Sequence, residues 1–352
     1  MHRCRPPFTY QLLRVVCAVF IFAGTLIFNI GACADEALPS NLDASIGRGL
    51  DFLAAQQAAD GSFGTAQKPA ITGLALMSFL ASGHAPDLGK FGAAVRGASD
   101  YLLSQAQADG TFTRNDKPMY QQGIVTLALA EAYGLEPNEP QRKRMATVLA
   151  KSVEVILKAQ DVKKQEQYAG GWRYEANSAD SDLSLCGWNA LALRACQDVG
   201  IAVPKSAARQ AVKFVLKCYS ADAKGFAYQP GGAPAAGTTG LGILCLHLLD
   251  DGAGRKESEA AMRTLEKHPI DDQTQFPYYG LYYATQAANQ AGEPSWSAIT
   301  KATFDKLFKA QQPDGGWPDV PSESGGTGRL YTTSMALLTL SIPYRLLPAY
   351  QR

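Results

Sequence analysis

The 352-residue chain is short of charge: 18% of its residues are charged, and the formal net charge is only +1. Arg3, Arg5 and Arg14 lie in the first 34 residues, which hold no acid, so the remainder is slightly acidic at −2. No basic block exists to neutralise phosphates, which excludes a nucleic-acid partner. Histidine is scarce too. Beyond the first 34 residues only His84, His247 and His268 occur, and Cys245 and His247 point to different faces of any helix that carries both. No metal set and no cofactor is expected on that inventory. Cys4, Cys17 and Cys33 fall in the leader; Cys186, Cys196, Cys218 and Cys245 remain, too few for a disulfide scaffold in a chain of this length. They read as small core residues, with pairing left open. G-x-S-x-G, P-loop and dinucleotide fingerprints are also missing, and alternating strand patterns are almost absent.

Only one apolar run is long enough to concern a membrane. A basic stretch ending at Arg14 precedes "VVCAVFIFAGTLIFNI" and the small-residue string "GACA". Residues 1–34 therefore read as an export signal, with Asp35 starting the mature chain. Two alternatives stay open. "IGAC" (Ile30 to Cys33) resembles a lipoprotein box that places a lipid on Cys33, and an uncleaved run would serve as an anchor. The expected location is periplasmic or extracellular, with membrane attachment only through this segment. Residues 35–44 read as a linker and 45–352 as one domain.

What the chain has in abundance is a repeated sentence. "RGLDFLAAQQAADGSF" (Arg48 to Phe63), "RGASDYLLSQAQADGTF" (Arg96 to Phe112) and "KATFDKLFKAQQPDGGW" (Lys301 to Trp317) each join an amphipathic helix to a glycine turn and an aromatic ring. Each such unit continues into a helix apolar around most of its circumference, as from Ile71, Gln122, Ser184, Thr239, Tyr279 and Tyr331. One-faced helices belong outside and all-round apolar helices inside. Six wholly apolar second helices favour a ring, which shields them on both flanks, over an open stack. The expected fold is all-α: twelve helices in a closed double ring of six hairpins.

Arg48-Gly49, Phe52-Leu53, Gln57, Gly61 and Phe63 fit the QW motif of squalene and hopene cyclases. Arg96-Gly97, Tyr101-Leu102, Gly110 and Phe112 fit with Ala106 in the glutamine slot; Lys301-Ala302, Leu307, Gln311, Gly315 and Trp317 fit with Lys306 in the aromatic slot. "GGW" (Gly170 to Trp172) is a remnant behind an insertion, and "KGFAY" (Lys224 to Tyr228) a fainter one. The chain resembles the α/α-toroid superfamily of terpene cyclases, protein prenyltransferase β subunits and thioester domains. That resemblance implies that Gln caps the outer helix and the aromatic packs at the turn, so Phe63, Phe112 and Trp317 are expected to be packing residues.

The resemblance also directs attention to Asp180 and Asp182, at the start of the third inner helix. Class II terpene cyclases carry D-x-D-D-T at a comparable place; here Asp180-Ser181-Asp182-Leu183-Ser184 lacks the third acid. Two roles are open for these acids: helix capping, or a catalytic or ligand role. A zinc set like that of the prenyltransferases is absent, and Cys186-Gly187-Trp188-Asn189 departs from the thioester string Cys-Gly-Glu-Gln. The turns before the inner helices bring aromatics and amides to one end of an up-down ring. Tyr120, Gln121, Trp172, Tyr174, Trp188, Tyr278, Tyr279, Tyr282 and Tyr331 are the candidate ligand residues. Their chemistry suits an oligosaccharide, a peptide or, at an apolar throat, an isoprenoid. The leading expectation is an exported binding or scaffold module. The alternatives are a cyclase-like enzyme using Asp182, or a polysaccharide lyase, whose α/α-toroid relatives share a "GGWP" string like Gly315 to Pro318.

Overall fold

The computed structural model describes residues 38–112, 117–249, 254–268, 270–271 and 274–351. Residues 1–34, read above as an export signal, and with them Cys4, Cys17 and Cys33, lie outside the described residues. From Pro39 onward the chain forms one compact unit.

Among the described residues, twelve long helices build that unit: α1 (Leu42–Ala55), α2 (Lys68–Ala81), α3 (Gly92–Ser104), α4 (Pro118–Tyr133), α5 (Glu139–Gln160), α6 (Leu183–Asp198), α7 (Lys205–Lys217), α8 (Ala236–Leu249), α9 (Arg255–Lys267), α10 (Pro277–Ala291), α11 (Ser295–Ala310) and α12 (Arg329–Leu340). Odd-numbered helices bury one face. In α9 the buried residues Ser258, Ala261, Met262 and Leu265 recur at helical spacing. Even-numbered helices are buried almost all round; in α2 every residue from Pro69 to Ala81 is buried. Each inner helix packs on the next, α2 on α4 and so on through α6, α8, α10 and α12, and α12 returns to α2. The expected closed double ring is what the chain forms. A glycine permits one of the tightest of these approaches: a Cβ at Gly240 of α8 would lie 2.6 Å from the Ala284 nitrogen of α10.

The repeated turns hold the outer layer together. Gln57 Nε2 donates to Gly61 O at 3.0 Å in its own turn and to Ala94 O of the next outer helix at 2.9 Å. Gln311 does the same across the seam of the ring, to Gly315 O and to Ser45 O, both at 2.8 Å. Gly61 and Gly315 have φ of +83° and +91°, and a Cβ on either would strike the next outer helix's backbone, 2.2 Å from Gly97 O or 2.3 Å from Arg48 O. Only glycine meets both demands. Phe63 and Trp317 are fully buried, and their N–H groups donate to Thr72 and Thr333 of the inner helices.

Three turns add to the sequence reading. The third unit is a complete tie: Gln160 Nε2 reaches Gly170 O and Ala207 O at 2.9 and 3.0 Å, with a nine-residue excursion, 161–169, between glutamine and glycine. In the second unit, where Ala106 takes the glutamine slot, Gln122 of α4 donates to Gly110 O at 3.0 Å instead. In the fourth unit a hairpin of two-residue strands, β1 (Tyr219–Ser220) and β2 (Gly225–Phe226), stands in the turn, while Phe226 stays fully buried and its N–H donates to Thr239 of α8 at 3.1 Å, as Phe63 and Trp317 do in their units. The first helix also starts earlier than expected. Leu42 is buried, so α1 begins inside the segment 35–44 read as a linker. All four cysteines of the domain are free and buried. Among the described residues no helix is long and apolar enough to cross a membrane, and no group of three acid, His or Cys side chains could hold a metal.

Candidate functional site

The N-termini of the inner helices and the turns that feed them share one end of the ring, the mouth. Its polar cluster gathers round Arg173, which a glycine turn (Gly170, Gly171, Trp172) delivers onto the start of α6. Arg173 Nη1 donates to Asp182 Oδ2 at 2.7 Å and to Tyr228 OH at 2.9 Å, and its Nε lies 3.1 Å from Asp180 Oδ2. The guanidinium sits 4.2 Å over the Tyr174 ring, and Tyr174 OH and Tyr228 OH are 2.7 Å apart. Tyr120 lies beside Tyr174, centroids 5.9 Å apart. Lys117 places its ammonium 4.9 Å from the Tyr174 ring.

Asp182 is fully buried and caps α6, accepting the Leu185 N–H on Oδ1 at 2.9 Å. Burial pushes its carboxyl above the usual range, while the Leu185 N–H and the Arg173 guanidinium act against that shift. Burial works against the Arg173 charge in turn, but the bond to Asp182 holds its pKa above the ordinary value. Both Asp182 oxygens are therefore committed to the protein. Asp180 is different: it is about two-fifths exposed, bonded by Arg173 and by Gln229 Nε2 at 3.2 Å.

The remaining candidates divide by depth. Tyr279 is held across the ring, its OH 2.8 Å from Ser184 Oγ of α6. Below it, Tyr283 meets Tyr279 at 4.6 Å, Tyr282 at 4.9 Å and Trp188 of α6 at 6.0 Å. Helices α6 and α10 are not neighbours, so these rings cross the axis and fill it. Trp188 and Tyr282 are buried in that packing, Tyr278 is buried too, and burial pushes the Tyr282 phenol up to about 12. Trp172 is buried as well, its indole N–H donated to Ile156 O at 2.8 Å. Gln121 is buried. Tyr331 is half-buried and donates to Glu323 Oε1 at 3.2 Å; the same carboxylate accepts the N–H groups of Tyr279 and Tyr278 at the start of α10, at 2.6 and 3.0 Å. Arg173, Tyr228, Lys117 and Glu323 escaped the sequence reading. The strings "GGWRYE" and "FAYQP" carry the first two, but only the folded ring brings them together.

No family model and no curated protein matches this sequence. Solved structures do match by shape. The type II terpene cyclase MstE from Scytonema, in its apo form, aligns with a TM-score of 0.57 at 14% identity, covering 88% of this chain and all of that one. The GH76A α-1,6-mannanase from Salegentibacter sp. HEL1_6 aligns with a TM-score of 0.63 at 10% identity, over 86% of this chain and 99% of that one. An inactive variant of the same mannanase, in complex with α-1,6-mannotriose, aligns at 0.62 and 11% over 85% and 98%. The chain thus shares the α/α-toroid fold of two enzyme classes with unrelated substrates. Fold alone does not choose between them.

Proposed function

We propose that the protein is an exported glycan-binding toroid, and that the Arg173 cluster at the mouth is its recognition surface. The observation that carries this reading is the pairing of half-buried Tyr120, Tyr174 and Tyr228 with a guanidinium and a partly exposed carboxylate, Asp180. Sugars are bound by that combination: ring edges and faces for the apolar side of the pyranose, charged hydrogen-bonding groups for its hydroxyls. The filled axis supports binding at the mouth over enclosure of a polyprenyl chain. The commitment of both Asp182 oxygens to Leu185 and Arg173 supports a structural role over a proton donor. The shape neighbour crystallised with mannotriose supports the ligand class.

An enzyme remains the second reading, favoured by the two enzyme neighbours and by Asp180, whose carboxylate is still partly exposed. Titration with α-1,6-mannotriose and other oligosaccharides, followed by tryptophan fluorescence, separates the readings. Binding without product, weakened about tenfold or more by Tyr174→Ala, is expected. Release of shorter sugars, or turnover of an isoprenoid, establishes the enzyme instead; no binding of any glycan refutes the proposal. Export is tested separately by intact mass, which should give a chain starting at Asp35 or a lipidated Cys33.

A further inference from the structure

The end of the ring opposite the mouth is closed by the chain's own C-terminal segment. A 3-10 turn, Ile342–Tyr344, ends at Arg345 with φ of +53°, and a second turn, Pro348–Tyr350, enters between the C-terminal ends of the inner helices. Side chains from three of those helices read its backbone. Glu131 Oε1 of α4 accepts the Ala349 N–H at 3.0 Å. Arg194 of α6 donates from Nε to Ala349 O at 2.9 Å and through its terminal nitrogens to Gln351 O and Leu248 O. Gln290 of α10 donates to Tyr350 O at 2.7 Å. The Tyr350 ring is buried beside Tyr282, centroids 6.4 Å apart.

Main-chain groups met by side chains, with one pocket for an aromatic, is how a site grips a short peptide segment whatever most of its sequence. The grip is also incomplete. Glu131 Oε2 and Gln286 Oε1, on residues more than nine-tenths buried, have no hydrogen-bond partner among the described residues, and a cavity of about 20 Å³, lined by Tyr282, Gln286 and Tyr350, lies on the Gln286 side. Gln286 Oε1 is an acceptor, and Glu131 Oε2 becomes one when a cation beside it ionises the carboxyl that burial otherwise keeps protonated up to about pH 8. The tail puts Ala349, fully buried and without a side-chain donor, beside Glu131.

We propose that this end is a peptide-binding socket, stoppered by the chain's own tail. Its partner is a protein segment with an aromatic residue in the Tyr350 position and a cationic donor beside it. The partner displaces the tail because it satisfies the two acceptors that the tail leaves bare. The reading is independent of the glycan site, at the other end of the ring.

The test uses two synthetic peptides, one with the sequence of residues 345–352 and one with Ala349→Lys in that sequence. They are titrated against the full-length mature chain, a full-length Tyr350→Ala variant whose stopper lacks its anchor, and a chain ending at Leu346. The two altered proteins should bind the first peptide, and the lysine peptide about tenfold more tightly; Glu131→Gln in the Tyr350→Ala background should erase that preference. The unaltered chain should bind both at least about tenfold more weakly, by competition with its own tail. If the altered proteins keep their helical circular dichroism and bind neither peptide, or bind both equally, the proposal fails. Should both lose their helicity, the unaltered chain decides. It must bind the lysine peptide in preference to the tail peptide, and no binding overturns the socket.

Discussion

The mouth and the tail end of the ring each set a buried carboxylate, Asp182 or Glu131, near a half-buried arginine, yet they are finished differently. At the mouth, Asp182 spends its two oxygens on Leu185 N–H and Arg173, and Glu323 spends its own on Tyr278, Tyr279 and Tyr331. At the tail end, Glu131 uses one oxygen on Ala349 and leaves the other bare, and Gln286 leaves its carbonyl bare. Local turns build the mouth; a distant segment, arriving last in the sequence, builds the tail end. A satisfied carboxylate stiffens a fold, whereas a half-satisfied one marks a place that can be rearranged.

The largest expected effect tests the stiff end. Trp317→Ala removes a fully buried ring packed against Gly49 and bonded to Leu307 O, and should lower stability by about 3–5 kcal/mol in thermal or urea unfolding. An unchanged melting temperature would remove Trp317 from the packing.

Next comes the soft end. Burial pushes the Glu131 carboxyl up to about 8, well above the value of 4.5 for an exposed glutamate. Folding therefore takes up a proton there. The stability this contributes is full below pH 4.5 and is lost as the pH climbs through 8. Glu131→Gln keeps an acceptor for Ala349 but cannot ionise. It should leave stability near pH 5 little changed and raise it by roughly 3 kcal/mol at pH 8. Parallel pH profiles for the two proteins would erase the contrast between the ends.

Gln311→Ala should lower stability by about 2 kcal/mol, since two donated bonds are lost at the seam between last and first units. Gln57→Ala, at an internal joint of the same design, is the matched comparison.

Asp182→Asn should have the smallest effect. The amide oxygen still caps α6, so melting shifts by less than about 1 kcal/mol. Loosened Arg173 should weaken glycan binding modestly, as should Asp180→Asn. A collapse of stability would mean that the Arg173 pair, not the cap, is what Asp182 supplies.

The ring was legible in the sequence because its signals are local. Helical periodicity separates inner from outer helices, and Gln57, Gly61 and Phe63 announce a turn within seven positions. Gln160 escaped because an excursion breaks the spacing to Gly170, although the bonding is unchanged. Gln122 escaped because its amide comes from the following inner helix. Depth was harder to read than fold. Nothing in "FPYYGLYY" says that Tyr279 reaches across the ring while Tyr282 and Tyr283 sink into the axis; that depends on which helix faces which. The Arg173–Tyr228 contact spans 55 positions, and the tail's bond to Glu131 spans 218. No periodicity encodes either.

The glutamine joint at the seam has a consequence in time as well as in space. Gln57 closes a loop of 37 positions to Ala94, whereas Gln311 closes one of 266 to Ser45 with the same chemistry. Chain entropy makes the long closure dearer by about 2 kcal/mol. The seam is then the last joint to form during folding and the first to part under pulling or denaturant. Yet the finished ring does not record where the chain began. Tyr344 bonds Asp43, so the chain passes beside its first helix before the tail turns in between the inner helices. A flexible bridge from the tail back to α1, with the chain cut instead at the Ala58–Gly61 turn, should rebuild the same ring and move the weakest seam to the new break.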